Sequence, residues 1–204
     1  MSATELLDAI REDNKTELSR LGSSKSLYAD TEGEMEPERV LAAAADTAHY
    51  AAETLAGWAE DDDVAGAFAA AADRERDHYD AIAAELDAHV PGERPAVIES
   101  LRGHEAAVER LGALVGLTLV AEEKSGQYSG FFTGQADPQT ASLFRGFGDD
   151  YEASRADALD ALDAVCEPED WDHAEAAATG AIGAAYEEYF ETLEDMGVNP
   201  KPVC

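Results

Sequence analysis

The stretch AFAAAADRERDHYDAIAAEL, residues 67–86, decides the fold. Its apolar residues recur at helical spacing: Phe68, Ala71, Ile82 and Leu86 form one stripe with Val64 just before them. That period belongs to an amphipathic helix, with the stripe facing a core. Glu75 falls in the centre of the stripe and His78 at its edge, one turn on. A carboxylate and an imidazole on a buried face need partners, because an unpaired buried charge is costly.

The same periodicity extends outward over nearly the whole chain. It predicts helices over 3–29, 37–60, 63–89, 97–132, 138–165 and 170–196. The breaks are Gly33 with Pro37, Asp61-Asp62-Asp63, Pro91-Gly92, Gly134 with Pro138, and Glu167-Pro168. No alternating Val/Ile/Thr-rich segment suggests a strand. The expected fold is all-α: two long hairpins, 37–89 and 97–165, as an antiparallel four-helix bundle flanked by N- and C-terminal helices in one domain, 1–204. The hairpins look distantly related. FAAAADRERDHYDAIAAEL from Phe68 resembles FRGFGDDYEASRADALDAL from Phe144, which sets Asp46 against Glu122, Glu75 against Tyr151, and His78 against Ser154.

Charge sets the environment. Asp and Glu number 45 against 14 Lys and Arg, a formal net charge of -31. In dilute buffer such a charge strains a compact state; molar salt cuts the Debye length to about 3 Å and relieves it. With 45% apolar residues in regular periods, the composition reads as a folded protein adapted to a salt-filled cytoplasm of the kind halophilic archaea keep, and not as a disordered acidic chain. No Lys/Arg cluster offers a phosphate-binding surface, so direct nucleic-acid binding is not expected. No apolar run approaches the roughly 20 residues of a membrane span. The start MSATELLDAIREDN is amphipathic and acidic, unlike a signal peptide. Cys166 and Cys204 form neither metal spacing nor a disulfide framework.

Projecting the other helices adds candidates to the Glu75 layer. Glu122 continues the stripe Leu101, Val108, Leu111, Val115 and Leu119; Tyr151 lies within Phe144, Phe147, Ala158 and Leu162, with Arg155 at its flank. Glu17 sits between Ile10 and Leu21, with Asn14 and Lys25. Glu75 and Glu122 each stand 14 residues, about 21 Å, from the turn of their own hairpin. Asp46 and Glu53 fall opposite the apolar side of their helix and read as solvated. His49, His89, His104 and His173 have no partner at useful spacing. Gly180, Gly183 and Ala184 suggest close helix packing, within the chain or between copies. Two readings of the layer stand open. Glu75 and Glu122 are neutralised by His78, Arg155 and Lys25 without metal, or the acidic groups and His78 hold a mono- or dinuclear ion.

Around AFAAAADRERDHYDAIAAEL, and more loosely over 37–165, the chain resembles the rubrerythrin family of the ferritin-like superfamily. Glu75-Arg76-Asp77-His78 has the form of that family's Glu-x-x-His. The resemblance implies a ferritin-like bundle, iron or manganese held by Glu75, His78 and Glu122, Tyr151 near the site, peroxide or oxygen handling, and pairing into a homodimer. The departures are specific: Tyr151 and Ser154 stand where the second Glu-x-x-His belongs. The second helix offers Ala44, Thr47 and Ala51 in place of a glutamate, for which Glu17 is the candidate substitute. No rubredoxin-type cysteine cluster is present. The alternative is a metal-free, degenerate bundle with a structural or regulatory role.

The charge argument makes a direct prediction. Dialysis from molar salt to ~50 mM should lower the melting temperature and helical circular dichroism progressively; an unchanged melting curve would contradict it.

Overall fold

A computed structural model describes residues 1–61 and 64–200. Asp62 and Asp63 of the expected acidic turn, and Cys204, lie outside the described residues. Every regular element among the described residues is an α-helix: α1 (Ala3–Asp13), α2 (Lys15–Leu21), α3 (Ser24–Asp30), α4 (Pro37–Asp61), α5 (Ala65–Ala83), α6 (Ala96–Leu101), α7 (Ala107–Gly134), α8 (Pro138–Val165) and α9 (Asp170–Asp195). None is long and apolar enough to cross a membrane.

The termini of these helices follow local chemistry. Ser2 and Glu5 form a capping box at α1, with Ser2 N donating to Glu5 Oε2 at 2.8 Å. Asp137 caps α8 by accepting from Thr140 N at 3.1 Å, with Pro138 in the first turn. After α3 the chain turns through Glu32 and Gly33, both at positive φ (49° and 84°). A Cβ at Gly33 would also lie 2.9 Å from the Tyr28 hydroxyl, so glycine is required there twice over.

Two expected helices are divided. Residues 3–29 form three short helices, because buried Asn14 turns its amide to Ile10 O (2.8 Å) and Thr179 Oγ1 (3.1 Å) and leaves helical geometry. Gly22 and Ser23 then separate α2 from α3. Residues 97–132 become α6 and α7, parted at Gly103 and His104, where Arg110 Nε donates to His104 O at 3.1 Å. The count of six therefore becomes nine among the described residues.

α4 with α5, and α7 with α8, pack as hairpins, and α5 meets α8 between them. α7 also packs along α9, and α6 docks on α9. Leu111 and every residue after it up to Ala121 are buried, so this part of α7 has no polar face. One apolar cluster joins α1, α7 and α9 to Leu55, Trp58 and Phe68; a second joins Val40, Leu41 and Ala44 to Ile82, Phe132, Phe144 and Phe147.

The closest helix contact is between α7 and α9. A Cβ on Gly112 would lie 2.2 Å from Ala174 O, and one on Gly116 2.4 Å from Ala178 O. Only glycine lets the two backbones approach that far. Gly180 and Gly183, the expected packing glycines, have nothing within 4 Å of a built Cβ among the described residues. On α9 it is Ala174, Ala178 and Ala181 that face the contact.

Glycine should thus have opposite value along one helix. Gly112→Ala or Gly116→Ala should destabilise the protein by ~1–3 kcal/mol through overpacking. Gly126→Ala, with open space around its Cβ, should stabilise it by ~0.5–1 kcal/mol. Denaturant unfolding measures both; the same sign at both sites would refute the contact.

Candidate functional site

The α5–α8 seam carries the polar groups singled out in the sequence. Glu75 and His78 are buried, at 6% and 2% exposure. His78 Nδ1 lies 3.4 Å from Glu75 Oε2, and its Nε2 lies 3.1 Å from Asp150 Oδ2 on α8. The Phe147 ring covers the imidazole at 3.9 Å between centroids, and Tyr151 meets it edge-on at 5.1 Å. The Nε2 contact is a hydrogen bond. Nδ1 has no hydrogen-bond partner among the described residues, so its contact with Glu75 is one of charge.

Burial pulls the His78 pKa down. The carboxylates of Glu75 and then Asp150 beside the ring outweigh it and raise the pKa above the ordinary 6.5. The aromatic face of Phe147 also favours an imidazolium. Burial, with the charges of Glu75 and Asp150, raises the Tyr151 hydroxyl well above 10, so Tyr151 stays protonated at neutral pH.

One turn farther along α8 the seam is cationic. Arg155, 4% exposed, places Nη1 2.9 Å from Glu122 Oε2. Arg74 on α5 donates from Nη1 to Ser154 Oγ at 3.2 Å and to Asp157 Oδ2 at 2.8 Å. The structure therefore gathers Glu75, His78 and Tyr151 into one cluster and sets Glu122 against Arg155 instead. Glu122 is also less buried than its projected position implies, with 43% of its side chain exposed. The physical reason is that α7 is buried on every side from Leu111 to Ala121, so projection gives its end no unique inward face.

Glu17 is on α2, which packs against α1, α3, α7 and α9 and not against α5. Lys25 donates to Asn199 O at 2.7 Å, away from Glu75. Asp46, read as solvated, accepts from Gly92 N at 2.9 Å and lies 2.9 Å from His89 Nε2. His89, read as unpartnered, also has Tyr79 Oη 3.4 Å from Nδ1. This clamp ties the loop before α6 to α4. Cys166 ends α8, its thiol pushed up to about 11 by burial and by Asp170 and Asp163.

Asp150 and Arg74 are the functional residues that sequence reasoning missed. Asp150 had a weak signal, lying between Phe147 and Tyr151 at the rim of the apolar stripe. Among the described residues no three His, Cys, Asp or Glu side chains converge as ligands of one metal ion. Glu75 and His78 offer two donors, and the next turn presents guanidinium groups, which repel a cation. The seam does not fit the multi-carboxylate set of a ferritin-like centre. In comparisons with known proteins, the chain matches no family model, no curated protein and no solved structure.

A raised folded-state pKa means that the His78 charge stabilises the fold fully below pH 6.5 and that this stability is lost as pH climbs through the folded value. NMR titration of the His78 ring should give a pKa above 6.5, and unfolding free energy should fall over the same interval. His78→Gln should remove that slope; a ring pKa below 6.5 would overturn the assignment.

Proposed function

We propose that this chain is a metal-free, degenerate bundle of the ferritin-like, rubrerythrin type, in which side-chain ion pairs stand where such a bundle holds metal. Its role is then structural or regulatory, exercised by binding and not by peroxide chemistry. The observation that carries this reading is the buried Arg155 against Glu122 at 2.9 Å. A guanidinium there supplies the positive charge that a carboxylate at a metal centre takes from its ion. Arg74 does the same for Asp157, beside the Ser154 that stands in the position of a second histidine ligand.

The competing reading is a rubrerythrin-like protein holding iron or manganese and handling peroxide or oxygen. One observation favours it: His78 Nδ1 is buried without a hydrogen bond and faces Glu75 Oε2 on the same helix. The two readings differ in what Glu75 is for. As a charge partner of His78 it contributes to stability alone; as a ligand it is indispensable to metal binding.

The protein, purified in high salt without chelator, should show no saturable Fe(II) or Mn(II) binding in anaerobic titration. Glu75→Gln should leave this unchanged and shift stability by ~1–3 kcal/mol, the cost of disturbing a buried charged contact. Stoichiometric binding that disappears in Glu75→Gln would sink the proposal and establish the metalloprotein.

A further inference from the structure

A second polar site lies outside the Glu75–His78 cluster, reached past Phe147 and Tyr151 by a small apolar cavity. α3, α4, α7, α9 and the loop before α6 enclose a cleft of about 470 Å³, a volume typical of small-molecule sites. Lys124, one of only four lysines in the chain, lines it. Lys124 Nζ donates to Asp30 Oδ1 at 2.7 Å, with both side chains about one-seventh exposed (14% and 13%). The buried Tyr128 hydroxyl donates to the other oxygen, Asp30 Oδ2, at 3.0 Å. Asp30 is therefore engaged on both oxygens. Lys124, with three N–H donors, makes its one hydrogen bond among the described residues to Asp30, leaving two donors directed at no protein acceptor.

Arg94 adds to the unmet demand for acceptors. It lines the same cleft and reaches Glu99 through Nη1 at 2.9 Å, while its buried Nε has no acceptor among the described residues. Buried donors without acceptors are costly. The two unengaged N–H groups of Lys124, which lines the cleft, can take oxygens from outside the chain, and a carboxylate supplies two. A simple anion is nonetheless a poor occupant. The cleft walls carry five carboxylates against three cations, and the whole chain is at -31, so a ligand bearing only negative charge is repelled. Glu188 has one oxygen on Ala96 N at 2.9 Å and its other free of any protein donor among the described residues. A positive group on the same ligand would meet it.

The floor of the cleft is different in character. Thr47, Pro95, Lys124 and Tyr128 also border a small cavity of about 30 Å³, walled beyond them by Ala44, Ile82, Phe144 and Phe147. The neck beside Lys124 thus leads from charged walls to an apolar end with room for little more than a methyl group or a water.

We propose that this cleft binds a small zwitterion with a short apolar side chain, an amino acid or a compound of that kind. Lys124 and Arg94 hold its carboxylate, Glu188 receives its ammonium, and the apolar group enters the cavity beyond Thr47 and Tyr128. The site uses none of Glu75, His78 or Glu122, so it stands or falls separately from the metal question.

Isothermal titration calorimetry of the intact chain in molar potassium chloride tests it, with L-alanine as probe, whose methyl group matches the small apolar end. Propionate lacks its ammonium and ethylamine lacks its carboxylate. Alanine should bind saturably at one site, and each truncated compound at least ~10-fold more weakly, the scale of one charge-assisted hydrogen bond. Lys124→Met should weaken alanine by ~10-fold or more. Should that variant lose its helical circular dichroism, Arg94→Gln and Glu188→Gln, both on the cleft wall, decide instead. No saturable heat from alanine would overturn the proposal. So would propionate or ethylamine binding as tightly as alanine, or unchanged affinity in both wall variants.

Discussion

The backbones of α7 and α9 meet at Gly112 and Gly116, close enough that a single added methyl would strike the carbonyls of Ala174 and Ala178. The positions of the other helices follow from this contact. With α9 on one side and α8 on another, α7 is enclosed from Leu111 to Ala121, where its one polar side chain, Thr118, donates back to Val115 O at 2.8 Å. α6 docks on α9, α8 on α7, and the α4–α5 hairpin meets the rest through the α5–α8 seam and through α4 against α3, α6 and α7. Buried Glu75, His78, Ser154 and Arg155 lie on the two helices of that seam.

Charge is distributed by the same logic. The chain carries 14 basic residues, and several of them are spent inside. Arg155 faces Glu122, Arg74 faces Asp157, and Lys124 faces Asp30. His78, raised toward its charged form, joins Glu75 and Asp150. A buried cation is tolerable only when a carboxylate stands beside it, and an acidic chain has carboxylates to spare at every helix rim. The exterior is strongly acidic overall although it also carries exposed cations such as Lys15, Arg39 and Arg76. In both polar interiors the cations stand beside carboxylates, and in both a buried donor is left without a hydrogen bond among the described residues: His78 Nδ1 in the seam and Arg94 Nε by the cleft.

The helical class, the long elements and the burial of Glu75, His78, Tyr151 and Arg155 were legible in the sequence, because each rests on a period of 3.6 within one amphipathic helix. Four features were not. Asn14 and Gly103 interrupt helices through a side-chain amide and a flexible backbone, and neither disturbs the apolar period that marked one continuous helix. Glu122 was misplaced because a helix buried on every side carries no phase information. Asp150 and Arg74 escaped notice since long charged side chains at a rim can reach inward, which a projection by Cα position ignores. The Asp46–His89 clamp joins residues that are distant in sequence, and spacing is silent on such pairs.

The central claim is that the seam is held by its own charges. A double-mutant cycle on Glu75 and His78, with Glu75→Gln, His78→Gln and both together, measures it most directly. The account predicts a favourable coupling of ~1 kcal/mol or more below pH 6.5 that fades as pH rises and does not change when a chelator is added. A coupling that is independent of pH, or that vanishes with chelator, would contradict it.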